Sequence, residues 1–381
     1  MKIVFICFYE AYPPVSGAAS VTLNVAKYAH GERFLIQLGT GDRPAVAKDG
    51  VKVITLAGAA DSRLRKMAGL RSRIERIAEM LKNISPDVVI LEGASWVVYH
   101  WLLLRKIRQE LPAAHVIYHS HNVEYYLRNE KHGRIVTMLT KWAEGKILHY
   151  ADLSFAVSEV DSNQFEKLYG VRPHILPNGV DEEMFDRVSE SEMLSAKSKY
   201  GIGDKAILFM GSYLYKPNRE AIDFLVESVM PEVVGRCKDA QLVVIGGDVP
   251  FSKPWLLNPG CIPHGQVPAL SKTCQVGVAP IFSGSGTRLK ILEYMAAEIP
   301  VVSTSKGAEG LNVIAGKNVL IADELLDFAM GVVGLLNDRG FAATIAEKGR
   351  GIVNLHYSWG IIMERFNREM TALGVGSNGT F

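Results

Sequence analysis

Short apolar stretches alternate with segments of helical periodicity along the chain. The stretches are rich in β-branched residues, whereas between several of them the apolar residues recur every three or four positions. Strands that are apolar on both faces are typical of a parallel sheet covered by helices. The pattern therefore predicts an α/β, doubly wound fold. Strands of the first half are predicted at 2–8, 33–39, 51–56, 87–93, 115–121, 153–158 and 174–179.

The same alternation restarts in the second half of the chain. Polar, acidic and serine residues fill the stretch from 180 to 204, a composition typical of a connection between domains. We predict two Rossmann-like doubly wound domains, residues 1–178 and 179–355, followed by a last segment, 356–381. The carboxyl ends of both sheets are expected to face a central cleft, where ligands bind in folds of this type. Strands of the second half are predicted at 206–212, 240–248, 275–281, 300–305 and 318–323.

Composition narrows the class of protein. A chain of 381 residues has the length of two ordinary domains, and its formal net charge of +2 gives no reason to expect nucleic acid. The four cysteines are scattered, without the spacing of a zinc site. The apolar run at the amino terminus is interrupted by Glu10 and is predicted to be a strand, and no run reaches the ~20 residues of a membrane span. We expect a cytoplasmic protein, attached at most to the inner face of a membrane.

One glycine-rich loop combines features of a nucleotide site. The sequence GSGTRLKILEYMAAEIPVVSTSKGAEGL (284–311) follows a predicted strand and leads into a helix. Backbone N–H groups at a helix N-terminus favour an anion, and Arg288 and Lys290 add charge suited to phosphate. Glu293 fits a nucleotide if it accepts hydrogen bonds from ribose hydroxyls. A solvated helix start, with Glu293 paired to one of the two cations, fits the same residues. The loop residues are Gly284, Ser285, Gly286 and Thr287.

Further glycine turns follow other predicted strands. Because neighbouring parallel strands end at the same sheet edge, we expect these turns to contribute to one ligand site. Taken singly, each has a simpler explanation: a helix cap at Asn218, a tight strand exit at Gly247, or a flexible loop at Gly17. The candidate residues are Gly17 in the first domain and Gly211, Ser212, Lys216, Asn218 and Gly247 in the second.

A polar cluster ends the strand predicted at 115–121. The sequence YHSHNVEYY places His119, His121, Asn122 and Glu124 at the strand end and in the following loop. A single histidine at such a place is commonly a structural hydrogen-bonding residue, but a histidine beside an amide and a carboxylate also suits proton transfer in catalysis.

Several motifs are missing from the sequence. There is no D-x-D to hold Mg²⁺ or Mn²⁺ on a diphosphate, no G-x-x-x-x-G-K-[ST], no G-x-S-x-G, and no G-x-G-x-x-G after the first strand. We therefore predict no cofactor and no metal, with a phosphate leaving group stabilised by Arg, Lys and backbone amides.

Taken together, these motifs resemble the retaining GT-B glycosyltransferases of family four (glycosyl transferases group 1), which include sucrose synthase, glycogen synthase and bacterial mannosyltransferases. The resemblance spans nearly the whole chain in the family's order. The motifs are PPVSGAASVTLNVAKYA (13–29), HNVE (121–124), ADLSFAVSEVD (151–161), PNGVDEEMF (177–185), GSYLYKPNREAID (211–223), the loop at 284–311 and YSW (357–359).

The resemblance assigns roles in the second domain. It implies that Glu293 is the second glutamate of the family's E-x7-E signature and binds the donor ribose. The first glutamate falls on Ser285, so that sugar contacts would come from this hydroxyl or from the amides of Gly286 and Thr287. The family's diphosphate-binding Arg and Lys fall on Ser212 and Asn218. Our hypothesis is that Arg288 and Lys290, with Lys216, supply the charge instead.

In the first domain, the resemblance implies that His121 orients the transferred sugar, with Asn122 and Glu124 on the acceptor side. Gly17 would place a backbone amide near the diphosphate. The segment 356–381 is expected to form a helix that returns to the first domain.

The activity implied is hexosyl transfer, with retention, from a nucleotide sugar to a hydroxyl of a glycan or lipid-linked acceptor in cell-envelope or polysaccharide biosynthesis. Three alternatives remain open: a nonhydrolysing nucleotide-sugar epimerase, a phosphorylase, for which no pyridoxal phosphate lysine is identified, and an inactive nucleotide-sugar-binding subunit. The basic amphipathic segment 62–82 fits either an anionic membrane surface or an ordinary helix packed on its sheet.

Overall fold

The computed structural model describes residues 1–14, 16–58, 69–93, 96–131, 133–284 and 286–374. The chain forms two compact units: unit 1 comprises Met1–Asn178 and the chain from Ile362 onward, and unit 2 comprises Gly179–Ile361. Both are α/β, as predicted, and each is built on its own sheet.

Unit 1 contains, in its described part, an eight-stranded sheet in the order β3-β4-β2-β1-β5-β6-β7-β8. All neighbouring strands are parallel except β3 and β4, which form a hairpin at one edge. The strands are β1 (Lys2–Cys7), β2 (Glu32–Gly39), β3 (Arg43–Lys48), β4 (Val51–Ala57), β5 (Val88–Glu92), β6 (His115–Ser120), β7 (Leu153–Ala156) and β8 (His174–Ile175). The helices are α1 (Gly17–Tyr28), α2 (Leu70–Ile84), α3 (Val97–Glu110), α4 (Glu124–Lys131), α5 (Arg134–Tyr150) and α6 (Glu159–Tyr169).

Unit 2 contains, over the residues described, a six-stranded parallel sheet in the order β11-β10-β9-β12-β13-β14. Successive residues of the central strand β9 alternate between two hydrophobic cores, with Phe209 in one and Leu208 in the other. This explains why the strands are apolar at consecutive positions. The strands are β9 (Lys205–Met210), β10 (Ala240–Ile245), β11 (Leu256–Gly260), β12 (Val276–Ala279), β13 (Val301–Ser303) and β14 (Leu320–Ile321).

The helices of unit 2 begin with α7 (Glu182–Asp186) and α8 (Glu190–Tyr200), the second closed by a Ser189–Glu192 capping box and by Gly201. A π-helical turn, Leu225–Val229, joins two helices of the next segment and precedes Pro231. The remaining helices of unit 2 are α9 (Lys216–Phe224), α10 (Met230–Arg236), α11 (Val267–Lys272), α12 (Leu289–Ala296), α13 (Leu325–Asn337) and α14 (Arg339–Ile352). The last helix, α15 (Trp359–Ala372), begins in unit 2 and belongs to unit 1 from Ile362 onward.

The last helix, α15, packs on unit 1. The ring of Phe366 lies 5.6 Å from that of Phe155 in β7, and Glu369 lies 3.1 Å from His174 of β8. Phe366 is fully buried. The carboxyl-terminal helix therefore contributes to the core of the unit that the amino terminus begins, as the sequence predicts.

Helix α2 covers much of the basic segment 62–82, of which 62–68 lie outside the described residues. Its apolar side chains Ile74, Ile77 and Leu81 are buried in the core of unit 1. These residues therefore pack on the sheet and are not available to a membrane surface. Over the described residues, no helix is both long enough and apolar enough to cross a membrane.

Candidate functional site

Three glycine loops come together at the carboxyl edge of the unit 2 sheet. They follow β10, β9 and β12, which are neighbours in the sheet. The chain order reverses between β9 and β12, and in doubly wound sheets ligands bind at such a point. This edge is therefore the expected ligand site of unit 2.

The loops after β9 and β10 approach each other too closely for side chains. Gly211 has φ +153°, and a Cβ there would lie 2.6 Å from Asn218 Nδ2. Gly246 has φ +113°, and its Cβ would lie 2.9 Å from the carbonyl carbon of Gly211. The positive φ favours glycine at both positions, and at Gly246 the neighbouring backbone also leaves no space for a side chain. Gly247 and Ser212 lie beside them, with 3.7 Å from a Cβ at Gly247 to Ser212 Oγ.

Asn218 links the loop after β9 to helix α12. Its Nδ2 donates a hydrogen bond to the carbonyl oxygen of Ser212 (3.2 Å), and its Oδ1 accepts one from Lys290 Nζ (2.9 Å). The same Nζ lies 3.9 Å from the centroid of the Phe209 ring. The side chain of Lys290 on α12 therefore contacts the side chain of Asn218 on α9.

Lys290 and Glu293 are half-buried on α12 and affect each other's charge. Burial, followed by repulsion from Arg288, lowers the pKa of Lys290 to about 7, against a smaller opposing effect of Glu293. Burial likewise raises the pKa of Glu293, and the charge of Lys290 opposes it. Within the described residues, the carboxylate of Glu293 makes no hydrogen bond, so that it can accept hydrogen bonds from a ligand.

Arg288 precedes α12 and holds the loop after β12 in shape. Its guanidinium donates to the carbonyl oxygens of Gly286 and Ser283, the latter at 3.3 Å. Ser283 Oγ in turn donates to Glu220 of α9 at 2.6 Å. Thr287 is half-buried in the same loop, whereas Ser285 lies outside the described residues.

Lys216, the remaining predicted cation, is differently placed. Its side chain is exposed, and its Nζ lies 3.6 Å from Glu220 on the same helix. The structure thus joins Lys290 to Asn218, whereas Lys216 is paired on the surface of α9.

A buried polar cluster lies at the carboxyl ends of β5 and β6 in unit 1. Glu92 Oε2 accepts hydrogen bonds from His119 Nδ1 at 3.0 Å and from His121 Nε2 at 2.9 Å. Thr22 of α1 donates to the same oxygen at 3.3 Å, and Tyr9 lies 2.7 Å from the Thr22 hydroxyl. The cluster therefore ties together the ends of β1, β5 and β6.

The two histidines lower the pKa of Glu92. Burial alone would raise the pKa of this carboxyl, but the charge of His119 and the hydrogen bonds from both histidines outweigh burial and lower the pKa to about 2. Burial lowers the pKa of His121. A carboxylate that accepts from Nε2 fixes the tautomer of His121, leaving Nδ1 as an acceptor.

His121 Nδ1 faces a position without a side chain. A Cβ at Gly93 would lie 3.1 Å from this nitrogen and 3.4 Å from the Tyr9 hydroxyl. The nitrogen is buried and has no hydrogen-bond partner in the described part of the chain, and the same is true of Glu92 Oε1 and His119 Nε2. An unpaired buried acceptor is costly.

The same three side chains are of the types that bind zinc, and their donor atoms lie within 4.8 Å of one another. The two O···N separations, 2.9 and 3.0 Å, are those of hydrogen bonds. We therefore interpret Glu92, His119 and His121 as a hydrogen-bonded cluster.

The remaining candidates of unit 1 lie at helix starts. Gly17 is exposed at the first position of α1, after the N-cap Ser16. Asn122 is half-buried after β6, and its carbonyl accepts from Ser120 Oγ at 2.6 Å. Glu124 is buried and lies 3.1 Å from Arg128 on α4, so that it has a partner within its own helix.

Family comparisons support this picture. The model of Glycosyltransferase Family 4 matches residues 15–184, and the model of Glycosyl transferases group 1 matches residues 204–338. The chain belongs to the group 1 glycosyltransferases of family four. A search of curated protein sequences gave no significant match to this glycosyltransferase.

Solved structures share the fold of this glycosyltransferase. Sucrose-phosphate synthase from Thermosynechococcus elongatus matches with a TM-score of 0.80 and 16% identity, over 98% of this chain and 99% of its own. Anabaena HepE in complex with UDP and glucose matches with a TM-score of 0.76 and 16% identity, over 98% and 100%. A trehalose-6-phosphate protein from E. coli bound with UDP-2-fluoro glucose matches at 0.72 and 11%, over 97% and 99%. At these identities the likeness concerns the fold, which is GT-B.

The sequence does not single out Glu92 as a site residue of the glycosyltransferase. The available signal is a carboxylate at the end of an otherwise apolar strand, directly before Gly93. It becomes informative only when β5 is known to lie beside β6, because that neighbour brings His119 and His121 to the carboxylate.

Proposed function

We propose that the protein is a metal-independent, retaining glycosyltransferase that moves a hexosyl group from a nucleoside-diphosphate sugar to a hydroxyl of a glycan or lipid-linked acceptor, in cell-envelope or polysaccharide biosynthesis. In this reaction the bond between the anomeric carbon and the diphosphate oxygen breaks. The acceptor oxygen forms the new bond on the same face of the sugar, and its proton passes to the departing diphosphate.

The observation that carries the proposal is the bond between Lys290 and Asn218 beside the glycine loops. The resemblance places a diphosphate-binding cation at position 218, where this chain has an amide. The 2.9 Å bond brings the Lys290 ammonium to that side chain from α12. A diphosphate site needs a cation at this location. Here the cation would come from Lys290 on α12 and not from position 218 on α9.

The donor diphosphate would be bound by several groups. Backbone N–H groups after β9 and β12 favour an anion, and Lys290 and Arg288 neutralise the charge that develops on the leaving group. Two lysine or arginine charges can replace a divalent cation in this role, which supports a metal-independent reaction. Glu293, whose carboxylate makes no hydrogen bond within the described residues, would accept hydrogen bonds from the ribose hydroxyls.

Unit 1 would act on the transferred sugar. With Nε2 held by Glu92, His121 presents Nδ1 as an acceptor for a sugar hydroxyl. The histidine therefore orients the sugar and is not assigned as a nucleophile. Gly17 would offer a backbone amide at the start of α1, and Asn122 and Glu124 remain our acceptor-side assignments.

The donor class is the first quantity to measure. HepE and the E. coli protein have been crystallised with UDP or UDP-sugars, so UDP-glucose is the first donor to test, with GDP- and ADP-sugars beside it. A ligand that binds only the folded state raises the apparent stability. We expect one base to raise the melting temperature more than the others.

A transfer assay with the same donors then separates the proposal from its alternatives. The product anomer, read by NMR, should have the configuration of the donor. An epimerised donor would favour the epimerase, and phosphate-dependent cleavage the phosphorylase. Tight donor binding without turnover, over a panel of glycan and lipid acceptors, would favour the inactive binding subunit.

A further inference from the structure

Helix α5 (Arg134–Tyr150) exposes a ridge of large apolar side chains. Ile135 is 77% exposed, Met138 71%, Leu139 51% and Trp142 50%. Their spacing, i, i+3, i+4 and i+7, places them on one face of the helix. Amphipathic helices of globular proteins normally turn this kind of face toward the core.

The opposite face of α5 already packs on unit 1. Ala143, Ile147 and Leu148 are buried in its hydrophobic core. Among the described residues, the ridge is therefore a second apolar face that is left exposed. Trp142 makes an edge-on contact with the buried Trp101, at 6.1 Å between ring centroids.

Cations accompany the ridge, and the described side chains of α5 include no exposed carboxylate. Arg134 and Lys141 are exposed on α5, and Lys146 is half-buried. Over the described residues, none of the three has an acidic partner. The one acidic residue of the helix, Glu144, is fully buried. We call the ridge and these three cations the α5 surface.

We propose that the α5 surface docks on an anionic lipid bilayer. Ile135, Met138, Leu139 and Trp142 enter the boundary between headgroups and acyl chains, and Arg134, Lys141 and Lys146 face the lipid phosphates. An interfacial helix combines these features: an apolar stripe, an aromatic residue suited to the interface, and flanking cations attracted by anionic lipid.

Charge argues against a second copy of the chain as the occupant. A symmetric contact through the α5 surface would bring like cations together without a carboxylate to neutralise them. An anionic bilayer satisfies both the apolar ridge and the cations, and it needs no shape complementarity.

Helix α5 is joined by hydrogen bonds of its buried Glu144 to the segment that carries His121. Glu144 accepts hydrogen bonds from the backbone N–H groups of Glu124 (2.8 Å) and Tyr125 (3.2 Å), the first residues of α4. These residues follow His121 by three and four positions. Docking at α5 would thus hold the bilayer near this segment, which suits a lipid-linked acceptor. Only that last consequence rests on the proposed function.

Vesicle flotation of the full-length protein tests the surface directly. Wild-type protein should float with vesicles that contain phosphatidylglycerol, less with phosphatidylcholine alone, and progressively less as salt is added. Leu139→Glu should lower the vesicle-bound fraction at least tenfold, because a carboxylate in the ridge is both polar and repelled. Arg134→Gln with Lys141→Gln should weaken binding and reduce its dependence on salt.

A matched control is Leu194→Glu in α8 of unit 2, where the leucine is 62% exposed; it should bind vesicles as the wild type does. Tryptophan emission offers a second readout: phosphatidylglycerol vesicles should shift the emission to the blue, and Trp142→Phe should abolish most of the shift. Melting temperatures of the variants verify folding.

Three results would overturn the proposal: no flotation of wild-type protein with anionic vesicles, equal flotation of Leu139→Glu and wild type, or a dimer in light scattering that Leu139→Glu dissociates while vesicles remain unbound. Flotation requires neither donor nor acceptor. Failure here would therefore leave the proposed transfer reaction standing, and the reverse also holds.

Discussion

At the proposed donor site, the surroundings of Lys290 set its protonation state. Removal from water and the neighbouring Arg288 hold its pKa at about 7, so that a large part of the lysine is neutral near neutrality. A diphosphate beside the ammonium would stabilise the charged form and raise the pKa. Donor binding is therefore expected to draw a proton onto Lys290.

Replacing this lysine tests the coupling. Lys290→Met should raise the donor Kd about tenfold or more, since a charge-assisted contact is lost. In the wild type the Kd should rise by up to about tenfold per pH unit above about pH 7, because binding must then take up a proton. The variant should lack this slope. Calorimetric titration with UDP-glucose at several pH values measures both effects.

The control is Lys238→Met, at an exposed lysine of unit 2, which should bind the donor as the wild type does. Equal donor affinity and equal pH dependence in Lys290→Met and wild type would contradict the role assigned to Lys290.

Glu92 should govern turnover and leave binding of the nucleoside diphosphate unchanged. Glu92→Gln keeps the shape of the side chain but removes the charge that orients His121. We expect kcat to fall at least tenfold, whereas the Kd of the nucleoside diphosphate, which carries no sugar for His121 to contact, stays constant. Steady-state kinetics together with titration separate the two quantities.

The exposed Glu79→Gln of α2 serves as control for the loss of a carboxylate in unit 1. A normal kcat in Glu92→Gln, or a parallel loss of nucleoside-diphosphate binding, would argue against the positioning role.

Some candidate site residues could be predicted from the sequence and others could not, for a physical reason. Arg288, Lys290 and Glu293 lie together in the sequence, and the helix start that unites them could be predicted. The partnership of Glu92 with His121 joins residues 29 positions apart. It follows from strand order, which local patterning does not specify.

Among the elements, α4 depends on its neighbour α5. Glu144 of α5 accepts from the first backbone N–H groups of α4 and from the Tyr169 hydroxyl at 2.6 Å. Burial, the largest effect, raises the pKa of Glu144 to about 7 against these hydrogen bonds. The start of the helix that follows His121 is thus held by one buried carboxyl.

This raised pKa makes the free energy of unfolding depend on pH. The folded pKa of Glu144, about 7, exceeds the ordinary value of 4.5, so the folded state binds the proton more tightly. Its contribution to the free energy of unfolding is full below pH 4.5 and declines as pH rises to about 7. Glu144→Gln should remove that decline. Urea unfolding at several pH values measures it.

Glu364→Gln, at an exposed position of α15, should retain the wild-type pH profile. If Glu144→Gln retained it as well, the carboxyl would not be the group responsible.

Two strands, β3 and β11, were not predicted from the sequence. The turn between β3 and β4 nevertheless contains Asp49–Gly50, both at positive φ, which is a recognised hairpin signal. The sequence of β3 includes Arg43 and Lys48 and lacks the continuous apolar character of the central strands, as is usual at a sheet edge. The exposed ridge of α5 could not be predicted, because periodicity shows that a helix has apolar faces but does not show which face meets the core.

At the scale of the whole molecule, fold class was the most predictable property. The strand–helix alternation occurs twice with a polar connection between, and each repeat specifies a doubly wound sheet independently. Selection of a particular donor and acceptor would depend on a few contacts at strand ends. Patterning of apolar residues has no bearing on such contacts.

The central claim is that the protein binds a nucleotide sugar at the carboxyl edge of the unit 2 sheet without a metal ion. Calorimetric titration in EDTA, with UDP-, GDP- and ADP-sugars, tests this claim most directly. We predict saturable binding of at least one of these donors, unchanged by EDTA and weakened about tenfold or more by Lys290→Met. No binding of any of them, or binding that EDTA abolishes, would contradict the account.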